Sequence, residues 1–195
     1  LIISEAINIS KEALGSPLTP GIYSSEQMAA WSKVTAAVHE AGGTIFAQLW
    51  HTGRVGHSHV NNGVTPVAPS PVAIKGQQHF TMDGMKDYEV PRVLVLEDIQ
   101  SIIQQYKQAA INAIDAGFDG VELHAAFGYL PNQFLAESAN QRTDQYGGSH
   151  ENRNRFVVEI LTEMVQAIGA NRVAVRISPT STYNSIRHEN PIEQF

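Results

Sequence analysis

The sequence predicts an α/β fold built on a parallel β-sheet. Four short apolar runs rich in Val, Ile and Ala begin at Leu1, Thr44, Gly120 and Val173, and longer segments with helical spacing separate them. The runs are nearly continuous instead of alternating, which is typical of parallel strands covered by helices. The resulting order βαβαβαβ gives the same fold class.

Helix boundaries follow from capping residues and breakers. The first predicted helix begins at Ser24-Ser25-Glu26 and ends at Gly42-Gly43, and the second runs from Leu96 to Ala116-Gly117. The third covers 151–168, with Ser149 as its candidate N-cap. Each helix therefore lies between two of the strands.

Two long polar segments connect these elements. Residues 52–92 are rich in Gly, Pro, His and Asn, and Asp83-Gly84 between two β-like pieces predicts a hairpin. Ordered loops of this length are usually functional. The polar segment 136–150 is interpreted as a hydrogen-bonded collar that orders its own loop.

Two architectures fit this order, a doubly wound sheet and a TIM (β/α)8 barrel. No G-x-G-x-x-G follows a strand. Polar side chains instead collect at the C-terminal end of every strand, where the active sites of TIM barrels lie: Glu5, Gln48 with His51, Glu122 with His124, and Arg176 with Ser178. A full barrel needs roughly 250 residues and eight strands, so the sequence predicts about half a barrel, with four strands and a capping hairpin. Because the chain opens inside a strand and without Met, we expect one partial barrel domain over 1–195, truncated at both ends.

Composition argues against several functions. The net charge is −6 and no basic run occurs, so neither nucleic acid nor a membrane surface is an expected partner. No apolar run reaches the roughly 18 residues of a membrane span. The chain has no cysteine, so disulfides and cysteine zinc sites are excluded, and a cytoplasmic protein is expected.

Each candidate site residue could bind a ligand or could instead serve only the fold. The amide of Gln48 suits the edge of a heteroaromatic cofactor but could also be a polar plug. Arg176, a charge in a buried strand, could pair with Glu122 or face an anionic cofactor. His124 and Tyr129 could donate to a carbonyl oxygen and deliver a proton, or form a packing corner.

A metal site is not expected. His57 and His59 could lie on one side of an extended segment, but no nearby carboxylate completes a hydrolase site. We interpret them as loop histidines.

Four segments resemble one known family. They read FAQLWHTGR at 46–54, GFDGVELHAAFGYLPNQFL at 117–135, NQRTDQYGGSHENRNRF at 140–156 and VAVRISP at 173–179. In order and spacing they are similar to the Old Yellow Enzyme family of FMN-dependent ene-reductases, in the branch of N-ethylmaleimide reductase and oxophytodienoate reductase. The resemblance spans nearly the whole chain and implies a TIM barrel with non-covalent FMN at its C-terminal mouth.

The resemblance also implies a reaction and its residues. NADPH or NADH reduces the flavin, which passes hydride to the β-carbon of an α,β-unsaturated carbonyl compound while a proton goes to the α-carbon. By position, Ala6 contacts the flavin through its backbone, Gln48 bonds the pyrimidine edge, and Arg176 lies beside N1 and O2. His124 holds the substrate carbonyl and Tyr129 donates the proton.

The resemblance places two further parts. The hairpin within 65–92 would cap the site, and Trp50 would pack beneath it. The family's first strand and its last three, with the phosphate-binding loops, have no counterpart here. The oligomeric state is left open.

Phe127 departs from the family pattern. In the family the second carbonyl donor, His or Asn, follows the first by three residues; here that position is Phe127, which the resemblance would place beside the substrate. Losing such a donor costs about 3 kcal/mol of transition-state stabilisation. Besides enone reduction, two alternatives stay open: a same-fold flavoenzyme with other chemistry, such as isomerisation or oxidation, and a flavin-free, inactive fragment.

Overall fold

A computed structural model describes all 195 residues. Its strands and helices, in chain order, are β1 (Ile2–Asn8), α1 (Ser25–Glu40), β2 (Ile45–Trp50), β3 (Val67–Ala68), β4 (Gln78–Thr81), β5 (Gly84–Asp87), β6 (Arg92–Val93), α2 (Leu96–Asp115), β7 (Gly120–Ala125), α3 (Leu130–Leu135), α4 (His150–Ile168), β8 (Val173–Ile177) and α5 (Pro191–Gln194). None of these helices combines the length and the apolar character needed to cross a membrane.

The long strands form one parallel sheet in the order β1-β2-β7-β8. The register pairs Ala6 with Gln48, Gln48 with Glu122, and His124 with Arg176. Paired residues point to the same face of a sheet, and so do residues two apart on one strand. These five side chains therefore share one face, which we call the inner face.

The opposite, outer face is covered by helices. Ile7, Leu49, Val121 and Leu123 from this face belong to a single core of 29 buried residues, to which α2 and α4 also contribute. Burying each large apolar side chain stabilises the fold by about 1.5–3 kcal/mol. The core therefore fixes the outer face and leaves the inner face for other groups.

The sheet is open at both edges. β1 and β8 each pair with one long strand only, so the barrel is not closed. On β8 the apolar Val175 and Ile177 are 42% and 45% exposed. This is the geometry expected of about half a barrel.

The helix boundaries confirm the predicted caps. Ser24 and Gln27 form a capping box at α1, in which each side chain accepts from the backbone N–H of the other. Ser149 accepts a hydrogen bond from the backbone of Asn152 at the start of α4. Strand and helix limits otherwise agree with the sequence predictions within a few residues.

Three features differ from the predictions. β1 continues to Asn8, so Glu5 and Ala6 lie within the strand, beside an irregularity between Ile3 and Ala6. The short helix α3, with Pro131 in its first turn, and the small pair β3–β6 were not predicted. These elements are too short to carry a periodic pattern. The predicted hairpin is present as β4–β5.

Candidate functional site

A hydrogen-bonded network crosses the inner face from β2 to β8. Gln48 Nε2 donates to Glu122 Oε1 at 2.7 Å. Arg176 donates through Nε to the same oxygen at 2.8 Å and through Nη2 to Oε2 at 3.3 Å. Glu122 is buried, whereas the Arg176 side chain is 40% exposed. The ion pair left open by the sequence is therefore formed.

This network leaves two polar groups free. No group of the chain bonds Gln48 Oε1 or Arg176 Nη1, so one acceptor and one cationic donor remain. A flavin presents the matching groups on its pyrimidine edge, where N3–H donates and O2 accepts. Gln48 and Arg176 therefore fit this edge while also making their structural contacts.

An aromatic group lies next to the network. The rings of His124 and Trp50 each contact Tyr129 edge-on, with both centroid distances 4.9 Å. Burial, then the Arg176 charge, lowers the pKa of His124 to about 4, and burial first of all raises that of Tyr129 to about 12. At neutral pH the imidazole is uncharged and the phenol keeps its proton.

Gln48 from the network and the aromatic group line one cleft of about 420 Å³, whereas Glu122, Arg176 and Phe127 are not among its lining residues. Its lining includes Ala6, Gln48, Trp50, His124 and Tyr129. Trp50 Nε1 and His124 Nδ1 are buried without a hydrogen-bond partner in the chain. Unsatisfied buried polar atoms are costly, so each of these two atoms would gain a partner from a ligand that reached it. Trp50 thus lines the cleft as well as packing against Tyr129.

Sequence reasoning missed one wall of the cleft. Ser16, Leu18, Thr19 and Pro20 line it from the loop after β1. Leu18 has φ +61° and is 93% exposed, an uncommon state for a leucine. The only clue in the sequence was the density of Gly and Pro in this loop.

The hairpin is attached to that loop and does not itself line the cleft. His79 on β4 hydrogen-bonds the carbonyl oxygen of Gly15 through Nε2, and its ring lies 5.3 Å from that of Tyr88. The hairpin therefore contacts the loop that lines the cleft, whereas the expected direct capping of the site is not seen.

Phe127 adopts a left-handed backbone conformation, with φ +54°. Its N–H donates to Ser178 Oγ at 2.8 Å and its carbonyl oxygen accepts from Asn184 Nδ2 at 2.9 Å. Its ring is 39% exposed and lies 6.0 Å from that of His124. The backbone is thus fixed by neighbours, and the side chain lies beside His124 with no hydrogen-bonding group.

Two polar residues of FAQLWHTGR serve the fold instead of the cleft. His51 is 1% exposed and its Nδ1 accepts from the backbone of Gly53. Arg54 is 2% exposed and donates to three backbone carbonyls, those of Val72, Asn184 and Ser185. Only Gln48 and Trp50 of this segment reach the cleft.

The loop histidines and the polar collar are also structural. His59 bonds Asp83 at 2.9 Å, and His57 Nδ1 lies 3.7 Å from Glu89. No three His, Asp or Glu side chains cluster as metal ligands would. In the collar, Arg142 donates to Asp144 and to the carbonyl oxygen of Leu94, which orders the loop as interpreted.

Acid is expected to destabilise the fold below about pH 6.5. Burial lowers the pKa of His51 to about 3 and that of His124 to about 4, from an ordinary 6.5. As pH falls from 6.5 towards 4, only the unfolded chain takes up these protons. Each histidine then removes about 1.4 kcal/mol of stability per pH unit. Urea unfolding at pH 7, 6 and 5 measures this slope.

Two variants test whether the buried histidines cause this loss of stability in acid. His124→Phe should reduce the slope, whereas Arg172→Met, an exposed exchange away from both histidines, should leave the slope unchanged. An unchanged slope in His124→Phe would assign the acid sensitivity to other groups.

Comparisons with known proteins agree with this geometry. The model of the NADH:flavin oxidoreductase / NADH oxidase family matches residues 1–191. 12-Oxophytodienoate reductase 7 of Oryza sativa subsp. japonica is 47% identical over 99% of this chain and 50% of its own length. A probable flavin mononucleotide-dependent alkene reductase of Leishmania infantum is 49% identical over 98% of this chain and 54% of its own.

Solved structures give the same result. The Old Yellow Enzyme homologue from Zymomonas mobilis superposes with a TM-score of 0.95 at 47% identity, over 99% of this chain and 54% of that one. Morphinone reductase in complex with tetrahydroNAD gives 0.95 at 44% identity, over 99% and 55%. These matches confirm the predicted half of a TIM barrel.

The chain thus spans about half the length of the relatives it matches. Flavin is the cofactor common to the family description and the alkene reductase, and tetrahydroNAD in morphinone reductase adds a nicotinamide. The chain belongs to the NADH:flavin oxidoreductase / NADH oxidase family, and within it to the Old Yellow Enzyme homologues that its sequence resembles.

Proposed function

We propose that the protein reduces the C=C bond of α,β-unsaturated carbonyl or similarly activated compounds, using FMN and NADPH or NADH. One observation carries the proposal: a pair suited to a flavin edge, Gln48 and Arg176, lies beside a pair suited to a carbonyl substrate, His124 and Tyr129. The names of two relatives, an oxophytodienoate reductase and an alkene reductase, support it.

Each residue has a role that its surroundings allow. FMN, when bound, supplies the hydride that the substrate β-carbon accepts. His124, uncharged at neutral pH, donates a hydrogen bond to the carbonyl oxygen and so polarises the double bond. Tyr129 still carries its proton at neutral pH and gives it to the α-carbon. Gln48, Arg176 and the backbone of Ala6 hold the cofactor ring.

Phe127 favours a second candidate, a flavoenzyme of the same fold with other chemistry. Its ring lies beside His124 and supplies no second hydrogen bond to a carbonyl oxygen. An oxidase or isomerase depends less on that bond, and a flat apolar substrate could pack on the ring. Product analysis after anaerobic incubation with an enone and NADPH separates reduction from isomerisation.

FMN is expected to bind the 195-residue chain with saturable quenching of flavin fluorescence and a shifted visible spectrum. Gln48→Leu should weaken binding about tenfold, because a hydrogen-bonding edge of the ring is left without its partner. The exposed Arg172, changed to Met, serves as a control that should bind like the unchanged chain.

Absence of any saturable binding would favour the third alternative, a flavin-free fragment. Sedimentation of the purified chain would then show whether it self-associates, as two open sheet edges would allow. Binding without enone turnover would instead support the second candidate.

A further inference from the structure

Glu122 lies at the centre of the inner face, between Gln48 on β2 and Arg176 on β8. Its side chain is only 7% exposed. A buried carboxylate is costly unless hydrogen bonds compensate it, and here it accepts three. The negative charge of Glu122 would disfavour a flavin that gains negative charge on reduction. The contacts of Glu122 with Gln48 and Arg176 explain why a carboxylate stands there.

The first contact decides how the Gln48 amide is turned. An ionised carboxylate only accepts hydrogen bonds, so it requires the NH2 group of the amide to face it. The 2.7 Å bond from Nε2 therefore leaves Oε1 as the atom available to a ligand. Without Glu122 the amide could rotate and present either atom.

The second contact of Glu122 fixes the orientation of the Arg176 guanidinium. Glu122 engages Nε and Nη2, which leaves Nη1 as the unbonded end of the guanidinium. The carboxylate also neutralises part of the positive charge at 2.8 Å. It therefore influences both the direction and the strength of the positive charge that Arg176 presents on the inner face.

We propose that Glu122 is a positioning residue: it orients Gln48 and Arg176 towards the flavin ring and limits the positive charge that the ring meets. This inference rests on the proposed binding of FMN. It assigns to Glu122 a control over the reduction potential of the bound flavin, exerted through two neighbours and without contact to the substrate.

The test compares FMN affinity and the midpoint potential of bound FMN in the 195-residue chain and its variants. Glu122→Gln keeps an oxygen that can accept from Gln48 Nε2 and removes the charge. It should bind FMN within about threefold of the unchanged chain and favour the reduced form about tenfold more, which is a shift of about 30 mV to more positive potential. Glu122→Leu removes both contacts and should weaken FMN binding at least tenfold.

Glu163→Gln is the control, since Glu163 forms an ion pair with Lys107 at 2.8 Å on the helical surface. NMR relaxation of the Gln48 side-chain amide adds a readout without FMN: an ordered amide is expected in the unchanged chain and a mobile amide in Glu122→Leu. Variants that match Glu163→Gln in FMN affinity, midpoint potential and order of the Gln48 amide would overturn the inference alone. Failure of the unchanged chain to bind FMN would overturn the proposed function, and the inference with it.

Discussion

Replacing Arg54 by methionine is expected to lower the free energy of unfolding by about 2–4 kcal/mol. The guanidinium donates to Val72 at 2.9 Å and to Asn184 and Ser185 at 3.2 Å each, all through backbone oxygens. Hydrogen bonds to a charged group contribute about 1.5–3 kcal/mol each, and relief of the buried charge offsets part of their loss. Equilibrium unfolding in urea measures the difference.

The hydrogen-bond partners of Arg54 predict which segment loses stability first in Arg54→Met. Asn184 and Ser185 both have φ +56°, an uncommon conformation, and Arg54 holds their carbonyl groups. Amide hydrogen exchange should therefore accelerate first in 183–186. Arg172→Met, an exposed exchange of the same type, should change stability by less than about 0.5 kcal/mol. Equal losses in both variants would show that Arg54 contributes nothing through its burial.

Much of the fold was readable from the sequence. The apolar runs and helix caps gave four strands and three long helices at nearly their observed limits, because both follow from local chemistry. The turn Asp83-Gly84 gave the hairpin for the same reason. The choice of a barrel over a doubly wound sheet depended on polar residues at strand ends, and the structural matches confirm it.

The candidate site was readable only in part. Residue type and strand position identified Gln48, His124 and Arg176 as site candidates, and the register places them on one face. Their contacts were not predictable in the same way. That Glu122 serves Gln48 and Arg176 at once depends on which side chains meet across three strands.

The sequence alone did not show that His51 and Arg54 serve the fold whereas Gln48 lines the cleft. All three lie within seven residues, yet Arg54 bonds carbonyl oxygens 130 and 131 residues further along the chain. Leu18 was missed for a related reason, because its place on the cleft depends on a loop held by His79. Such long-range contacts leave no periodic pattern.

Phe127→Asn is expected to raise enone turnover by the FMN-loaded chain about a hundredfold, with stability within about 1 kcal/mol of the original. Asparagine supplies a second donor beside His124, and one missing donor of this type costs 10²–10³-fold, roughly. It also tolerates the left-handed conformation that Phe127 adopts at φ +54° better than a bulky aromatic residue does. Turnover is followed by NADPH oxidation and product formation under anaerobic conditions.

Two further substitutions distinguish the effect of the added hydrogen-bond donor from the effect of a relaxed backbone at residue 127. Phe127→Gly relieves the same conformation without adding a donor, and Phe127→Leu does neither. Because the backbone of residue 127 is held by Ser178 and Asn184, these exchanges should leave the loop in place. A gain in Phe127→Asn that exceeds both controls would assign the missing activity to the carbonyl donor. An equal gain in Phe127→Gly would assign it to backbone relaxation, and a loss in all three would make the aromatic ring itself part of the substrate site.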